Sequence, residues 1–233
     1  MANKDYIVFD FETGGRDPEI CQPTQIAALA LDGRTFRLKG TFNSEIKPVS
    51  FDEEPVYKDK EKTEILWGPL EDEALKITGK TKEGLANAPT LETVWPKFVK
   101  FVEKYNWNKS SWFAPIPAGY NIINYDMPII KKLCKMFGPW DEVRGQQKLF
   151  NPIMKVDMMD NMFVWTEGDP SIKSISMDNV RKRMGLSGEN AHDALQDVKD
   201  TANIMIKFMM THRAVYKKME IDDAFANGGL YVE

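Results

Sequence analysis

A chain of 233 residues with 42% hydrophobic side chains can bury one sizeable core, so a single domain is expected. Charged residues of both signs make up 28% and leave a net charge of -4. That balance excludes a disordered polyelectrolyte and a non-specific coat on nucleic acid or anionic membrane, though not a local basic patch.

Residues 6–12, Tyr-Ile-Val-Phe-Asp-Phe-Glu, read as a strand with apolar residues on both faces, which predicts a central position. Ile7, Phe9 and Phe11 point one way; Tyr6, Val8, Asp10 and Glu12 point the other. Two carboxylates therefore leave one face at the strand's end. Such a pair is unfavourable unless it is neutralised or solvated. Thr13, Gly14 and Gly15 then turn the chain. Residues 25–31 predict a second strand, Asp32-Gly33 a hairpin turn, and residues 35–46 a third strand. Residues 50–73 are charged, carry Pro55, Gly68 and Pro69, and read as a loop-rich insertion.

A short helix is predicted to end at Gly79, with Thr81 capping another through Leu85. Thr90 is placed to cap a longer helix with Leu91, Val94, Trp95, Phe98, Val99 and Val102 on its apolar stripe. Residues 112–118 hold Pro115 and Pro117, so they predict an edge strand or a short one. Asn124 is a candidate cap for a helix to Phe137, with Asp126 in its first turn, where the helix dipole favours an acid. Residues 138–155 read as loop, and residues 156–164 as a helix with Asp157 and Asp160 as caps or solvated acids. Residues 176–184 form a helix whose Arg181, Lys182 and Arg183 read as a solvated face, with phosphate contact the minority reading.

The last helix carries the least expected placement. Asp193, three residues before Gln196, predicts its start by a variant of the capping box. Leu195, Val198, Ala202, Met205, Ile206 and Met209 make it a buried helix, with Gln196, Lys199, Asp200, Asn203 and Lys207 on the polar side. Asp197 falls away from that polar side and lines up with Ile204 and Phe208. A carboxylate on an apolar face needs a positive partner. No Lys or Arg shares the face, so a metal ion or a distant basic residue is required. His192 sits one turn before Asp197 and can reach the same space. Residues 221–233 read as a loosely ordered tail.

Taken together, a D-x-E on a strand, an N-x-x-x-Y-D at one helix start and an H-x-x-x-x-D at another supply four carboxylates and one imidazole. Oxygen donors of that charge suit two hard divalent cations, Mg²⁺ or Mn²⁺, and the set lacks the His or Cys cluster that zinc favours. Two such ions about 3.5–4 Å apart clamp both oxygens of a phosphodiester displacement. His192, with an ordinary pKa of ~6.5, is then a credible general base.

These residues carry a family resemblance. Asp10-Phe-Glu-Thr-Gly14, Asn121-Ile-Ile-Asn-Tyr-Asp126 and Asn190-Ala-His-Asp-Ala-Leu-Gln-Asp197 resemble the three motifs of the DEDDh (DnaQ-like) 3′→5′ exonucleases. Residues 11–18, 22–28, 77–81 and 119–121 look most like segments of the catalytic domain of bacterial exonuclease I. The resemblance runs over residues 5–210 and implies a ribonuclease H-like fold, a mixed five-stranded sheet flanked by helices, as a domain over residues 1–220. It implies Asp10, Glu12, Asp126 and Asp197 as ligands of two divalent cations and His192 as general base. Thr13, Gly14, Ile77, Thr78, Gly79 and Asn121 would surround the terminal nucleotide. The implied reaction is metal-dependent release of nucleoside 5′-monophosphates from the 3′ end of single-stranded DNA. The alternatives are an exoribonuclease of the ribonuclease T or oligoribonuclease kind, and an inactive end-binding or polymerase-docking module. A replication or repair protein is a candidate partner. Many members have a second Thr where this chain has Gly14, and exonuclease I continues into further domains.

Cys21 and Cys134 make neither a disulfide framework nor a CxxC metal site. No apolar run approaches the ~20 residues of a membrane span. The first five residues lead into a strand-like segment with no signal peptide, so a cytoplasmic protein with reduced thiols and no membrane partner is expected.

Overall fold

A computed structural model describes residues 4–187 and 193–219. The chain begins with three strands, β1 (Tyr6–Thr13), β2 (Pro23–Leu31) and β3 (Leu38–Glu45). A small hairpin of β4 (Val56–Tyr57) and β5 (Ile65–Trp67) follows, then helices α1 (Asp72–Thr78), α2 (Lys82–Ala86) and α3 (Leu91–Glu103). Strand β6 (Ile116–Gly119) leads to α4 (Asp126–Phe137), and a second small hairpin pairs β7 (Trp140–Asp141) with β8 (Gln146–Gln147). Strand β9 (Val156–Asp157) runs into α5 (Met158–Thr166), and α6 (Met177–Met184) and α7 (Ala194–Met219) complete the order.

The main sheet has five strands in the order β3-β2-β1-β6-β9. β1 is its middle strand, antiparallel to β2 and parallel to β6, and β6 is parallel to β9. The central position follows from the double-sided apolar pattern of β1. Ile7, Phe9 and Phe11 join Trp95 and Phe98 of α3 and Ile130 of α4 on one face. Val8 joins Val198, Ala202 and Met205 of α7 and Met158 of α5 on the other. Each such side chain contributes about 1.5–3 kcal/mol on full burial. The face that carries Val8 also carries Asp10 and Glu12, so the two acids look toward α7.

Local chemistry accounts for most boundaries. Gly79 ends α1 in the left-handed conformation, φ 65°, and its backbone N–H returns to the α1 carbonyls. The Thr81 hydroxyl caps α2 by accepting from the Gly84 N–H at 3.0 Å. Several features differ from the sequence reading: residues 156–157 are strand β9, with the helix starting only at Met158, residues 138–155 hold the β7–β8 hairpin, and three more follow. The β2–β3 turn is wider than a two-residue hairpin. The Asp32 carboxylate accepts from the Arg34 and Thr35 N–H groups, and Phe36 takes φ 58°, so β3 starts at Leu38. Helix α4 starts at Asp126 rather than after Asn124, whose amide is turned to the Asn121 side-chain oxygen at 3.1 Å. β6 is short but interior, despite Pro117. Its ladder with β9 begins only at Ala118, so the missing Pro117 N–H removes no bond on that side.

The inserted residues are partly structured. Trp67 is buried in the main core and Leu70 in a small cluster with Leu75 and Leu85. Leu70 also fills the space over Gly14, where an added Cβ would lie 3.1 Å from the Leu70 Cγ. A side chain at position 14 would therefore require Leu70 to shift by a few tenths of an ångström. Helix α7 continues through His212, Arg213, Lys217 and Lys218 to Met219. No helix among the described residues is long and apolar enough to cross a membrane.

Candidate active site

The carboxyl end of β1 delivers Asp10 and Glu12, two residues apart and therefore on one face. α7 begins directly opposite. The Asp193 carboxylate accepts from the Leu195 and Gln196 N–H groups, each at 3.1 Å, so the predicted cap forms. The reciprocal half of the capping box does not, because the Gln196 amide donates to Asp200 at 2.9 Å. One turn into α7, Asp197 faces β1. One carboxylate oxygen from each of Asp10, Glu12 and Asp197 lies within 4.8 Å of the other two.

Asp126 comes from the first turn of α4 and is fully inside the protein, 2% exposed. Its Oδ1 accepts from the Phe11 N–H at 3.0 Å, between Asp10 and Glu12 in the chain. The loop that presents it is held from below by Asp157, whose oxygens accept from the Asn121 and Ile123 N–H groups at 2.8 and 3.0 Å. Asp157 is the predicted cap of α5, through Met159 N–H at 3.0 Å, but it is buried rather than solvated. Gly119 is required at the end of β6, because a Cβ there would meet the Phe9 carbonyl oxygen at 2.9 Å and the Ile122 side chain closer still.

The acids strain against one another. Burial, then repulsion from Asp126, Glu12 and Asp197, pushes the Asp10 carboxyl well above the usual carboxylate range, with Arg181 opposing. Burial, followed by repulsion from Asp197, pushes Glu12 up to about 8. Burial raises Asp126 to about 8 although the Phe11 N–H pulls the other way. Asp10, Glu12 and Asp126 thus resist ionising together, while Asp197 beside them carries an ion pair. All the donors are hard carboxylate oxygens, so the set fits a divalent cation that binds through oxygen.

The sequence reading left open what meets Asp197, and the structure supplies the distant basic residue. Arg181, read from sequence as part of a solvated face, is 2% exposed and lies between α6 and α7. Its Nη2 donates to Asp197 Oδ1 at 2.5 Å, its Nε to Asp200 Oδ2 at 2.8 Å and its Nη1 to Asp178 Oδ1 at 3.3 Å. Asp200, assigned to the polar side, is buried for the same reason. A period signal existed: Met177, Val180, Arg181 and Met184 make the i, i+3, i+4, i+7 stripe of α6, with Arg181 on it.

A cavity of about 240 Å³ opens beside Glu12, lined by Phe11, Thr13, Arg16, Ile77, Thr78 and Tyr125 among others. Thr13 and Tyr125 hydrogen-bond through their hydroxyls at 2.6 Å, and Tyr125 donates to the Gly15 carbonyl at 2.7 Å. Tyr125 was not singled out from sequence, though it directly precedes Asp126. Gly14, Gly79 and Asn121 lie outside this lining. Gly14 sits under Leu70, Gly79 ends α1, and Asn121 shapes the loop at φ 58°. His192 and residues 221–233 lie outside the described residues. Cys21 and Cys134 are both free and buried. Of the tryptophans, Trp67 and Trp95 are core, while Trp107, Trp112 and Trp165 are 62%, 49% and 42% exposed.

The family model described as an exonuclease, RNase_T, matches residues 7–205. The chain belongs to the RNase_T exonuclease family. It is 25% identical over 205 residues to DNA polymerase III subunit epsilon of Aquifex aeolicus, covering 88% of this chain and 80% of that protein. It is 25% identical over 226 residues to the PolC-type DNA polymerase III of Thermotoga petrophila, covering 96% of this chain but only 13% of the polymerase. Escherichia coli exonuclease I in complex with a dT13 oligonucleotide has the same fold, with TM-score 0.61 at 19% identity over 95% of this chain and 43% of that one. The ribonuclease H-like exonuclease fold and a nuclease activity follow from family membership. The chain spans a small part of the polymerase and less than half of exonuclease I.

Proposed function

We propose that this chain is a metal-dependent 3′→5′ exonuclease that removes nucleoside 5′-monophosphates from single-stranded DNA. The observation that carries the reading is the convergence of Asp10, Glu12 and Asp197, with Asp126 buried beside them, where burial and mutual repulsion raise Asp10, Glu12 and Asp126. Two divalent cations, Mg²⁺ or Mn²⁺, would supply charge neutralisation on the phosphodiester and a lower pKa for the attacking water. Asp10, Glu12, Asp126 and Asp197 are the residues that would hold them. His192, next to the Asp193 cap of α7, would take the proton from the water.

The cavity beside Glu12 would hold the terminal nucleotide, with Phe11 and Ile77 against its apolar surface and Thr13 and Thr78 offering hydroxyls. Gly14, Gly79 and Asn121 would act at one remove, through the backbone of the same loops. The exonuclease domain would be residues 1–220, with the 50–73 insertion part of its packing. Likeness to polymerase III subunits supports a replication or repair protein as partner, and the free thiols support a cytoplasmic setting.

DNA is favoured over RNA by the kind of relatives: polymerase III subunits, and an exonuclease I structure with bound dT13. A time course on a 5′-labelled single-stranded DNA oligonucleotide and its RNA twin, in Mg²⁺ and in EDTA, tests the reading. A descending ladder on DNA that is absent in EDTA and slower on RNA is expected. A ladder mainly on RNA would move the activity to the ribonuclease branch, and no cleavage of either would overturn it.

A further inference from the structure

Arg181 is a cation buried against a site that is built to attract cations. Its guanidinium is a rigid planar fork whose Nε and terminal nitrogens point in fixed directions. The fork grips two acids one turn apart on α7, Asp200 through Nε and Asp197 through Nη2. Asp200 is itself fixed, since its other oxygen accepts from the Gln196 amide at 2.9 Å. Asp178, three residues before Arg181 on α6, takes the remaining nitrogen. A chain of contacts therefore runs from the α6 and α7 backbones, through Asp200 and the guanidinium, to one oxygen of Asp197. Asp197 alone among the clustered acids of the site receives this guanidinium.

Charge neutralisation by itself does not explain the arrangement. A positive charge beside a metal-binding carboxylate opposes cation binding, and Asp200 already offsets much of that charge. The arrangement does fix the plane of the Asp197 carboxylate relative to Asp10 and Glu12. Groups that hydrogen-bond a metal ligand from behind set its orientation. We infer that Arg181, anchored by Asp200, is a positioning residue that holds Asp197 in the geometry a divalent cation requires. The inference rests on the metal-dependent reading given above and adds to it a residue pair outside the four acids and His192.

Equilibrium Mn²⁺ binding followed by electron paramagnetic resonance, without nucleic acid, tests it independently of turnover. The wild type, R181M, R181K and D200N are compared after circular dichroism confirms that each is folded. R181M is expected to bind Mn²⁺ about 10–100-fold more weakly, the usual cost of losing such a partner. R181K is expected to recover little, because an ammonium cannot grip both acids as the fork does. D200N is expected to weaken binding by a smaller factor with Arg181 and Asp197 both present. Binding as tight as wild type or tighter in R181M overturns the inference, as does full recovery in R181K. Where R181M does not fold, R181K and D200N decide, and wild-type affinity in both overturns it. A wild type that binds no Mn²⁺ overturns the metal-dependent reading and this inference together. A wild type that binds while the variants bind equally overturns this inference alone.

Discussion

Two buried acidic regions lie along the same edge of the sheet, at the carboxyl ends of parallel strands, and they are built in opposite ways. At the end of β9, Asp157 accepts three backbone N–H groups, from Asn121, Ile123 and Met159, at 2.8–3.0 Å. Its oxygens are met by the protein's own amides. At the end of β1, Asp10, Glu12 and Asp126 share far fewer donors, and each is pushed up toward the protonated form. One acid completes the fold. The others leave it electrostatically incomplete, and that difference separates a structural carboxylate from one reserved for a cation.

The contrast can be broken by mutation. Replacing Asp10 with alanine should reduce DNA hydrolysis by about a thousand-fold or more, since a lost metal contributes several kcal/mol at the transition state. The same change should raise the melting temperature of the protein in EDTA by relieving repulsion, and a lower melting temperature would contradict the account. H192A should slow turnover by about 10²–10⁴-fold while Mn²⁺ binding persists, as removal of a general base does. D157A should do the reverse. It strands buried amide donors and should cost roughly 3 kcal/mol of stability, or about 6–12 °C in melting temperature, with metal dependence intact in the folded fraction. G14T should have the smallest effect, a loss of about 1–3 kcal/mol from crowding Leu70, seen in thermal melts with Mg²⁺ dependence unchanged.

The site was legible in the sequence wherever an acid stood out of phase with its surroundings. Asp10 and Glu12 on an otherwise apolar strand, and Asp197 in line with Ile204 and Phe208, are visible because period and polarity disagree. Asp126 and Asp157 were not separable in that way, since both occupy helix starts where acids are ordinary. Only the long-range bonds, from Phe11 N–H to one and from Asn121 and Ile123 N–H to the other, tell them apart. Arg181 was misread because three consecutive basic residues look like a solvated face, whereas the apolar stripe of α6 passes through the first of them. The interior place of β6 was obscured by Pro117, because ladder length, which decides whether a proline is tolerated, is set by a partner strand far along the chain.

The most direct test of the central claim is the melting temperature in EDTA and in excess Mn²⁺ from pH 5 to pH 8. Carboxyls whose folded pKa lies above the unfolded value bind more protons when folded, so their contribution is full below the unfolded pKa and is lost as pH rises through the folded one. With Glu12 and Asp126 both near 8, the protein in EDTA should lose stability steadily across that window. Mn²⁺ should stabilise it little at pH 5 and most at pH 8, flattening the curve. A flat curve in EDTA, or the same Mn²⁺ shift at both ends, would contradict the claim that this site is held open for cations.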